Sequence, residues 1–228
     1  NEATLATIDR WVEYRVWHTH LPGAQVAIGL DGELIFSAAY GYADLEQRVP
    51  MRTDHLFRVA SHSKTFTATL ILQLVEQRQL SLDDRVGDHV AELHDQELGN
   101  IVLRELLEHT AGVLRDGKDA DFWLGLRAFP DYEEMITLVS AGAKRPPGEL
   151  FAYSNLGFGL LGAVLSSLTG QPYAEIVQKQ ITGPLNLSNT AGCYLSERAE
   201  DYARGYTGLA TGLRRQRLDH VDTRALDA

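Results

Sequence analysis

The sequence predicts a mixed α/β (α+β) fold, and three observations predict it. Leu5, Ile8, Val12 and Val16 recur at helical spacing, with Trp11 beside them, and Pro22-Gly23 ends that run. Asp31-Gly32 is a strong two-residue hairpin turn between Gln25–Leu30 and Glu33–Tyr40, both rich in small, branched or aromatic residues. From Phe66 onward the periodicity is almost entirely helical. The expected order is therefore a helix, a hairpin and then a helical region.

After the hairpin, a polar stretch from Gly41 to His55 leads to an extended apolar segment, Phe57-Arg58-Val59-Ala60, and then to Ser61. Phe66, Leu70 and Leu74, with Ile71 and Val75, make one amphipathic helix. Ser81-Leu82-Asp83-Asp84 reads as a capped turn. Leu103, Leu106 and Leu107 form a short helix that ends near His109-Thr110-Ala111-Gly112, with Gly112 suited to its C-terminal cap. Asp131 and Glu134 have capping-box spacing ahead of Met135, Ile136, Leu138 and Val139. Pro146-Pro147-Gly148 breaks the chain, and a helix follows through Leu156, Leu160, Leu161, Val164, Leu165 and Leu168. Its Gly157, Gly159 and Gly162 each cost about 1 kcal/mol relative to alanine and imply close packing against a neighbour. Pro172–Ile181 gives one more helix, ended by Gly183-Pro184, and periodicity fades beyond Asn189. A hairpin alone is not a stable sheet. No long strand is read after Val59, so the sheet is expected to be incomplete in this chain.

The totals exclude several function classes. With 228 residues the chain can bury a core as one large domain or two lobes. A net charge of -10 argues against nucleic acid and anionic membrane surfaces as partners. The single cysteine, Cys193, rules out an internal disulfide and any multi-cysteine metal site, and reads as a small buried hydrophobe or a reactive thiol. No apolar run is long enough to span a bilayer. His18-Thr19-His20 is a pair without a third ligand, and His55, His62, His89, His94, His109 and His220 lack zinc-ligand spacing. Arg214-Arg215-Gln216-Arg217 reads as a solvated basic cluster. With no phosphate-binding glycine loop either, neither cofactor nor metal is expected.

Two short stretches hold the residue types that nucleophilic chemistry needs. If Ser61 opens the helix that follows it, Lys64 lies one turn on and on the same face. Serine needs a base to take its proton, and an amine of lowered pKa can serve. A capping serine and a solvated lysine fit the same spacing. In Tyr153-Ser154-Asn155, a phenol can shuttle a proton and an amide can hydrogen-bond a substrate carbonyl. A packed tyrosine and an asparagine that caps the helix from Leu156 fit equally.

Six ordered blocks combine these stretches into a pattern. They are Gly41-Tyr42-Ala43-Asp44, Leu56 to Ala68 with Ser61-His62-Ser63-Lys64, Leu80 to Asp84, Leu106 to Gly112, Pro146 to Asn155 with Tyr153-Ser154-Asn155, and Gly183-Pro184-Leu185. Together, from about Pro22 to Thr190, the chain resembles the serine β-lactamase and penicillin-binding-protein superfamily, in its class C-like branch. Gly41 to Asp44 is similar to that family's turn after the second strand. The resemblance implies an antiparallel sheet flanked by helices beside a mainly helical lobe. Residues 1–60 would supply the helix and hairpin, 61–190 the helical lobe with the site, and 191–228 an undefined remainder. It implies a serine hydrolase that forms an acyl-enzyme on a β-lactam, a D-amino-acid peptide or a small ester. The alternative is a non-hydrolysing penicillin sensor or degenerate relative. Ser61 would be the acylated nucleophile, and its N–H one half of an oxyanion hole. Lys64 and Tyr153 would share the proton transfers, the formal base being either, and Asn155 would bind substrate. The partner would be a small molecule or peptide. A periplasmic or secreted location is implied, with the cytoplasm and the oligomeric state left open.

Two departures stand out. His62 follows the nucleophile where the family more often has an apolar or small residue. The third family motif, Lys-Thr-Gly or His-x-Gly, is not found: Thr211-Gly212 lacks a preceding Lys or His, and no glycine follows His220. The chain is therefore expected to be the N-terminal part of a longer domain.

Overall fold

The computed structural model describes residues 2–118, 120–124, 127–141, 150–208, 215–220, 223 and 226. Pro146-Pro147-Gly148-Glu149, Thr211-Gly212 and Arg214 lie outside the described residues. The chain divides into two compact units, Asn1–Arg58 with Leu195–His220, and Val59–Tyr194 with Val221–Ala228.

The first unit opens with α1 (Glu2–His18), which buries Val12 and Val16 and leaves Leu5 and Ile8 half-buried. The hairpin follows as read: β1 (Gly23–Leu30) pairs antiparallel with β2 (Glu33–Asp44). Asp31 and Gly32 take φ 52° and 82°, the positive pair that a type I′ turn requires. A bulge at Ile35 shifts the register, since Ile28 faces Phe36 while Gly29 faces Leu34. Gly41–Asp44 is a correction. These residues continue β2 and pair with β3 (Val49–Pro50), so the turn falls at 45–48. Gly41 makes the continuation possible with φ 69°, lying directly against Pro22, whose carbonyl accepts the Tyr42 N–H at 2.8 Å. The late residues contribute β4 (Gly205–Tyr206) and β5 (Arg217–Leu218), a two-stranded antiparallel pair too short for a sequence period. Buried Asp44 sits beside the guanidinium groups of Arg204 and Arg217, and its Oδ1 accepts the Gln47 N–H at 2.8 Å.

The second unit is helical, as expected. It holds α2 (Ser63–Glu76), α3 (Leu103–Leu107), α4 (Tyr132–Ser140), α5 (Asn155–Thr169) and α6 (Tyr173–Val177). Helix α5 packs against the other four and is apolar without interruption from Leu156 to Leu165. Leu160, Leu161, Val164 and Leu165 are fully buried, each worth about 1.5–3 kcal/mol in area removed from water. Gly157, Gly159 and Gly162 are buried too. A Cβ on Gly157 would meet Ser154 Oγ at 3.3 Å and Leu106 Cδ2 at 3.5 Å, the second an ordinary packing distance. The Ser81–Asp84 turn forms as read, with Ser81 N–H donating to Asp84 Oδ2 at 2.8 Å. Asp131 caps α4 by accepting the Glu134 N–H at 3.0 Å, while the Glu134 carboxylate takes Arg127 at 2.6 Å.

The end of α3 differs from expectation. The left-handed residue is His109 (φ 58°), three positions before Gly112. His109 N–H donates to Leu106 O at 3.2 Å and Thr110 N–H to Glu105 O at 2.8 Å, the two bonds of a Schellman motif. Gly112 (φ 70°) turns the chain again further on.

Among the described residues, the two positive-φ glycines of the first unit differ in what surrounds them. A Cβ on Gly41 would sit 2.4 Å from Pro22 O, whereas one on Gly32 meets nothing within 4 Å. Gly41→Ala is expected to destabilise by about 3 kcal/mol or more and Gly32→Ala by only about 1 kcal/mol. Urea unfolding of the intact protein, followed in the far ultraviolet, checks the order.

Candidate active site

Four side chains expected to carry chemistry lie in the second unit, and three elements bring them together. Ser61 sits in a single 3₁₀ turn, Ala60–His62, ahead of α2 rather than within it. Ala60 causes the delay. Its φ of 47°, after Val59 at φ -100° and ψ 5°, turns the chain just before Ser61, at a cost of about 1 kcal/mol for a residue with a Cβ. Lys64 follows in the first turn of α2. Tyr153 and Asn155 flank the start of α5.

The α5 N-terminus decides what Asn155 does. Ser154, not Asn155, is the N-cap: its Oγ accepts the Gly157 N–H at 2.8 Å and its hydroxyl donates to Leu114 O at 2.8 Å. The Arg115 carbonyl accepts from the N–H groups of both Asn155 (2.9 Å) and Leu156 (3.2 Å). Three of the four N–H groups that a helix leaves unsatisfied at this end are thereby paired. The Asn155 side chain is left for other work. Its Oδ1 accepts from Lys64 Nζ at 2.8 Å, and its Nδ2 donates to Asp116 Oδ1 at 2.6 Å.

Tyr153 completes the cluster. Its hydroxyl donates to Ser61 Oγ at 2.7 Å. Lys64 Nζ lies 5.1 Å from the centre of its ring and the Arg115 guanidinium 5.5 Å. Burial pushes the phenol up, but hydrogen bonds to Ser61 and Lys64 and the charges of Lys64 and Arg115 outweigh it and hold Tyr153 below 10. Ser61 is exposed and Tyr153 half-buried, so a molecule from solvent can reach the pair. His62 is exposed.

His109 is nearer to this cluster than a residue that only shapes its own turn. Its ring centre is 4.4 Å from that of Tyr153 and 5.0 Å from that of Phe158. Its Nδ1 accepts the Ser154 N–H at 3.2 Å and its carbonyl the Ala152 N–H at 2.7 Å. A ring nitrogen that accepts must be unprotonated. Burial and the Lys64 charge hold His109 below its ordinary 6.5 and keep it neutral.

Asp116 was not read from the sequence. Asp116-Gly117 is an ordinary turn dipeptide, and Gly117 does have φ 86°. Nothing local marks the carboxylate, which is 9 % exposed and also accepts from Trp123 Nε1 at 2.9 Å. Among the described residues no group of His, Cys, Asp and Glu is arranged to hold a metal ion. None of the described helices is long and apolar enough to cross a membrane.

Known proteins match this chain over nearly its whole length. The family model Beta-lactamase matches residues 8–225. The chain belongs to the beta-lactamase family. The resemblance read in the six blocks is thus borne out. Protein flp of Staphylococcus aureus (strain N315) is 28% identical over 204 residues, covering 87% of this chain and 40% of its own. Esterase EstB of Burkholderia gladioli is 32% identical over 215 residues, 88% of this chain and 54% of EstB. Among solved structures, a D-alanine carboxypeptidase AmpC from Burkholderia cenocepacia superposes with a TM-score of 0.79 and 25% identity. That match covers 100% of this chain and 60% of the carboxypeptidase. The chain spans about half the length of the curated relatives it matches.

Two measurements probe this frame. Ser154→Ala removes an acceptor and a donor from a buried helix end and is expected to cost about 2 kcal/mol in a denaturant titration. His109 titrates lower folded than unfolded. Its contribution is therefore complete above about pH 6.5 and is lost as pH falls towards the lowered value. His109→Asn tolerates positive φ and offers Oδ1 in place of Nδ1. Its melting temperature is expected to fall less than that of the unaltered protein as pH drops below 6.5.

Proposed function

We propose that this chain carries the acylation centre of a serine hydrolase that forms an acyl-enzyme at Ser61. The 2.7 Å hydrogen bond between Tyr153 and Ser61 carries the reading, because it joins a hydroxyl to a phenol held below its ordinary pKa. With Tyr153 ionised beside Lys64 and Arg115, Ser61 Oγ attacks the acyl carbon, a C–O bond forms, and the serine proton passes to the Tyr153 phenolate. Lys64 holds that oxygen's negative charge and shares the proton. As the tetrahedral adduct collapses, Tyr153 returns the proton to the leaving nitrogen or oxygen, whose bond to carbon breaks. A water then gives its proton to Tyr153 and attacks the ester carbon; as the C–O bond to Ser61 breaks, Tyr153 passes that proton to Ser61 Oγ and the acid is freed. Asn155 orients the substrate's amide or ester group through the N–H that Asp116 does not occupy. The Ser61 N–H supplies half of the oxyanion hole.

The substrate class is a β-lactam, a D-amino-acid peptide or a small ester. Support comes from the name of the family and from an esterase and a D-alanine carboxypeptidase among similar proteins. Nitrocefin, a D-Ala-D-Ala peptide and a short p-nitrophenyl ester, assayed side by side with the intact protein, separate these classes. A stable penicillin adduct at Ser61 without turnover would instead make the protein a sensor.

Ser61→Ala is expected to abolish labelling by a fluorescent penicillin or fluorophosphonate. Tyr153→Phe is expected to slow acylation by about 10²–10⁴-fold. It should also remove the rise of rate with pH that the unaltered protein shows up to a limit below pH 10. Lys64→Ala should lower acylation far more than substrate binding, and equal loss of both would refute its role in proton transfer.

A further inference from the structure

Asp116 lies outside every sequence block and touches neither Ser61 Oγ nor the Tyr153 hydroxyl in any recorded contact, yet its carboxylate is built into the site. One oxygen, Oδ1, accepts from Asn155 Nδ2 at 2.6 Å and from Trp123 Nε1 at 2.9 Å. The other, Oδ2, lies 3.2 Å from Arg115 Nε, on a side chain that is 70% exposed. Asn155 is thus held between two fixed charges of opposite sign, an ammonium at its oxygen and a carboxylate at its nitrogen. Lysine only donates and an ionised carboxylate only accepts. Turning the amide over would set N–H against ammonium and oxygen against carboxylate, so one orientation survives.

We infer that Asp116 is the positioning residue of this site: by holding the Asn155 amide in that single orientation, it fixes where the Lys64 ammonium stands against Tyr153. The inference rests on the reading of Ser61 as the acylated nucleophile. Without Asp116, Asn155 is tied only to Lys64, whose four-carbon stem can carry the amide with it. Misplacement of about 1 Å is enough to cost an active site about 100-fold in rate. The negative charge itself is dispensable in this role. An asparagine at 116 keeps an oxygen where Oδ1 accepts from both Asn155 and Trp123. Its amide nitrogen replaces Oδ2, and the exposed Arg115 side chain can move away from it.

The test is the second-order rate at which a fluorophosphonate labels Ser61 in the intact protein, with the adduct located by peptide mass. Asp116→Ala, Asp116→Asn, Asn155→Ala and the double variant Asp116→Ala/Asn155→Ala are compared, each checked for folding by its thermal melt. Asp116→Ala is expected to label about 100-fold more slowly, and Asp116→Asn to recover to within about tenfold of the unaltered protein. Because Asp116 acts through Asn155, the double variant is expected to be no slower than Asn155→Ala by more than about threefold. A folded Asp116→Ala that labels at the unaltered rate overturns the inference, as do losses that multiply in the double variant. If Asp116→Ala does not fold, Asp116→Asn decides alone, and a loss beyond about 30-fold there overturns it. An unaltered protein that labels elsewhere than Ser61 removes the reading beneath the inference, whereas labelling at Ser61 with no effect at 116 removes the inference only.

Discussion

The start of α5 is a buried helix end, and the candidate site is arranged around that constraint. Buried N–H groups must be paired. The loop Leu114–Asp116 pairs them, through the Arg115 carbonyl and by holding the Ser154 hydroxyl that caps Gly157. The same loop then supplies Asp116 to the amide of Asn155 and the Arg115 guanidinium to the face of Tyr153. Capping and chemistry therefore share one piece of backbone. A carboxylate near a helix N-terminus also meets the positive end of the dipole, which favours its charge.

Local charge in the site runs against the charge of the whole. The chain is strongly acidic, yet the Tyr153 ring has two cations within 6 Å. A phenol among cations is the inverse of Tyr40 and Tyr132. Those are pushed up to about 12 by burial and by hydrogen bonds to Asp9 and Glu92. Burial raises all three phenols, and the sign of the nearest charges sets Tyr153 apart from the other two. His109 responds to the same ammonium, which helps to keep its ring neutral and able to accept the Ser154 N–H.

Much of the fold was legible because its signals are local. Asp31-Gly32 demands positive φ at two adjacent residues, and few other dipeptides accept it. The helices of the second unit follow from apolar spacing, and Ser61, Lys64, Tyr153 and Asn155 from the order of six blocks. What escaped was decided by distance in space. Ser154 and Asn155 are both good caps, and only the path of the chain from Leu114 to Asp116 selects the serine. The left-handed end of α3 falls on His109 rather than Gly112 because the imidazole repays its strain by accepting the Ser154 N–H. Asp116 looks like half of a turn until Asn155, ninety-one residues from Lys64 in sequence, is placed between them. Strands β4 and β5 have two residues each, too few to show alternation.

The burial of nearly every residue from Leu156 to Leu165 of α5 has a consequence for motion. Backbone amides exchange with solvent only when their helix opens, and a helix enclosed by four others opens with the unit as a whole. Asn155 opens the first turn of that helix and Tyr153 lies just before its N-cap, whereas Ser61 stands in an exposed single turn behind a left-handed alanine. Tyr153 and Asn155 are thus held by the most enclosed helix of the unit. On the acylation proposed for Ser61, the serine would be the part that adjusts by fractions of an ångström.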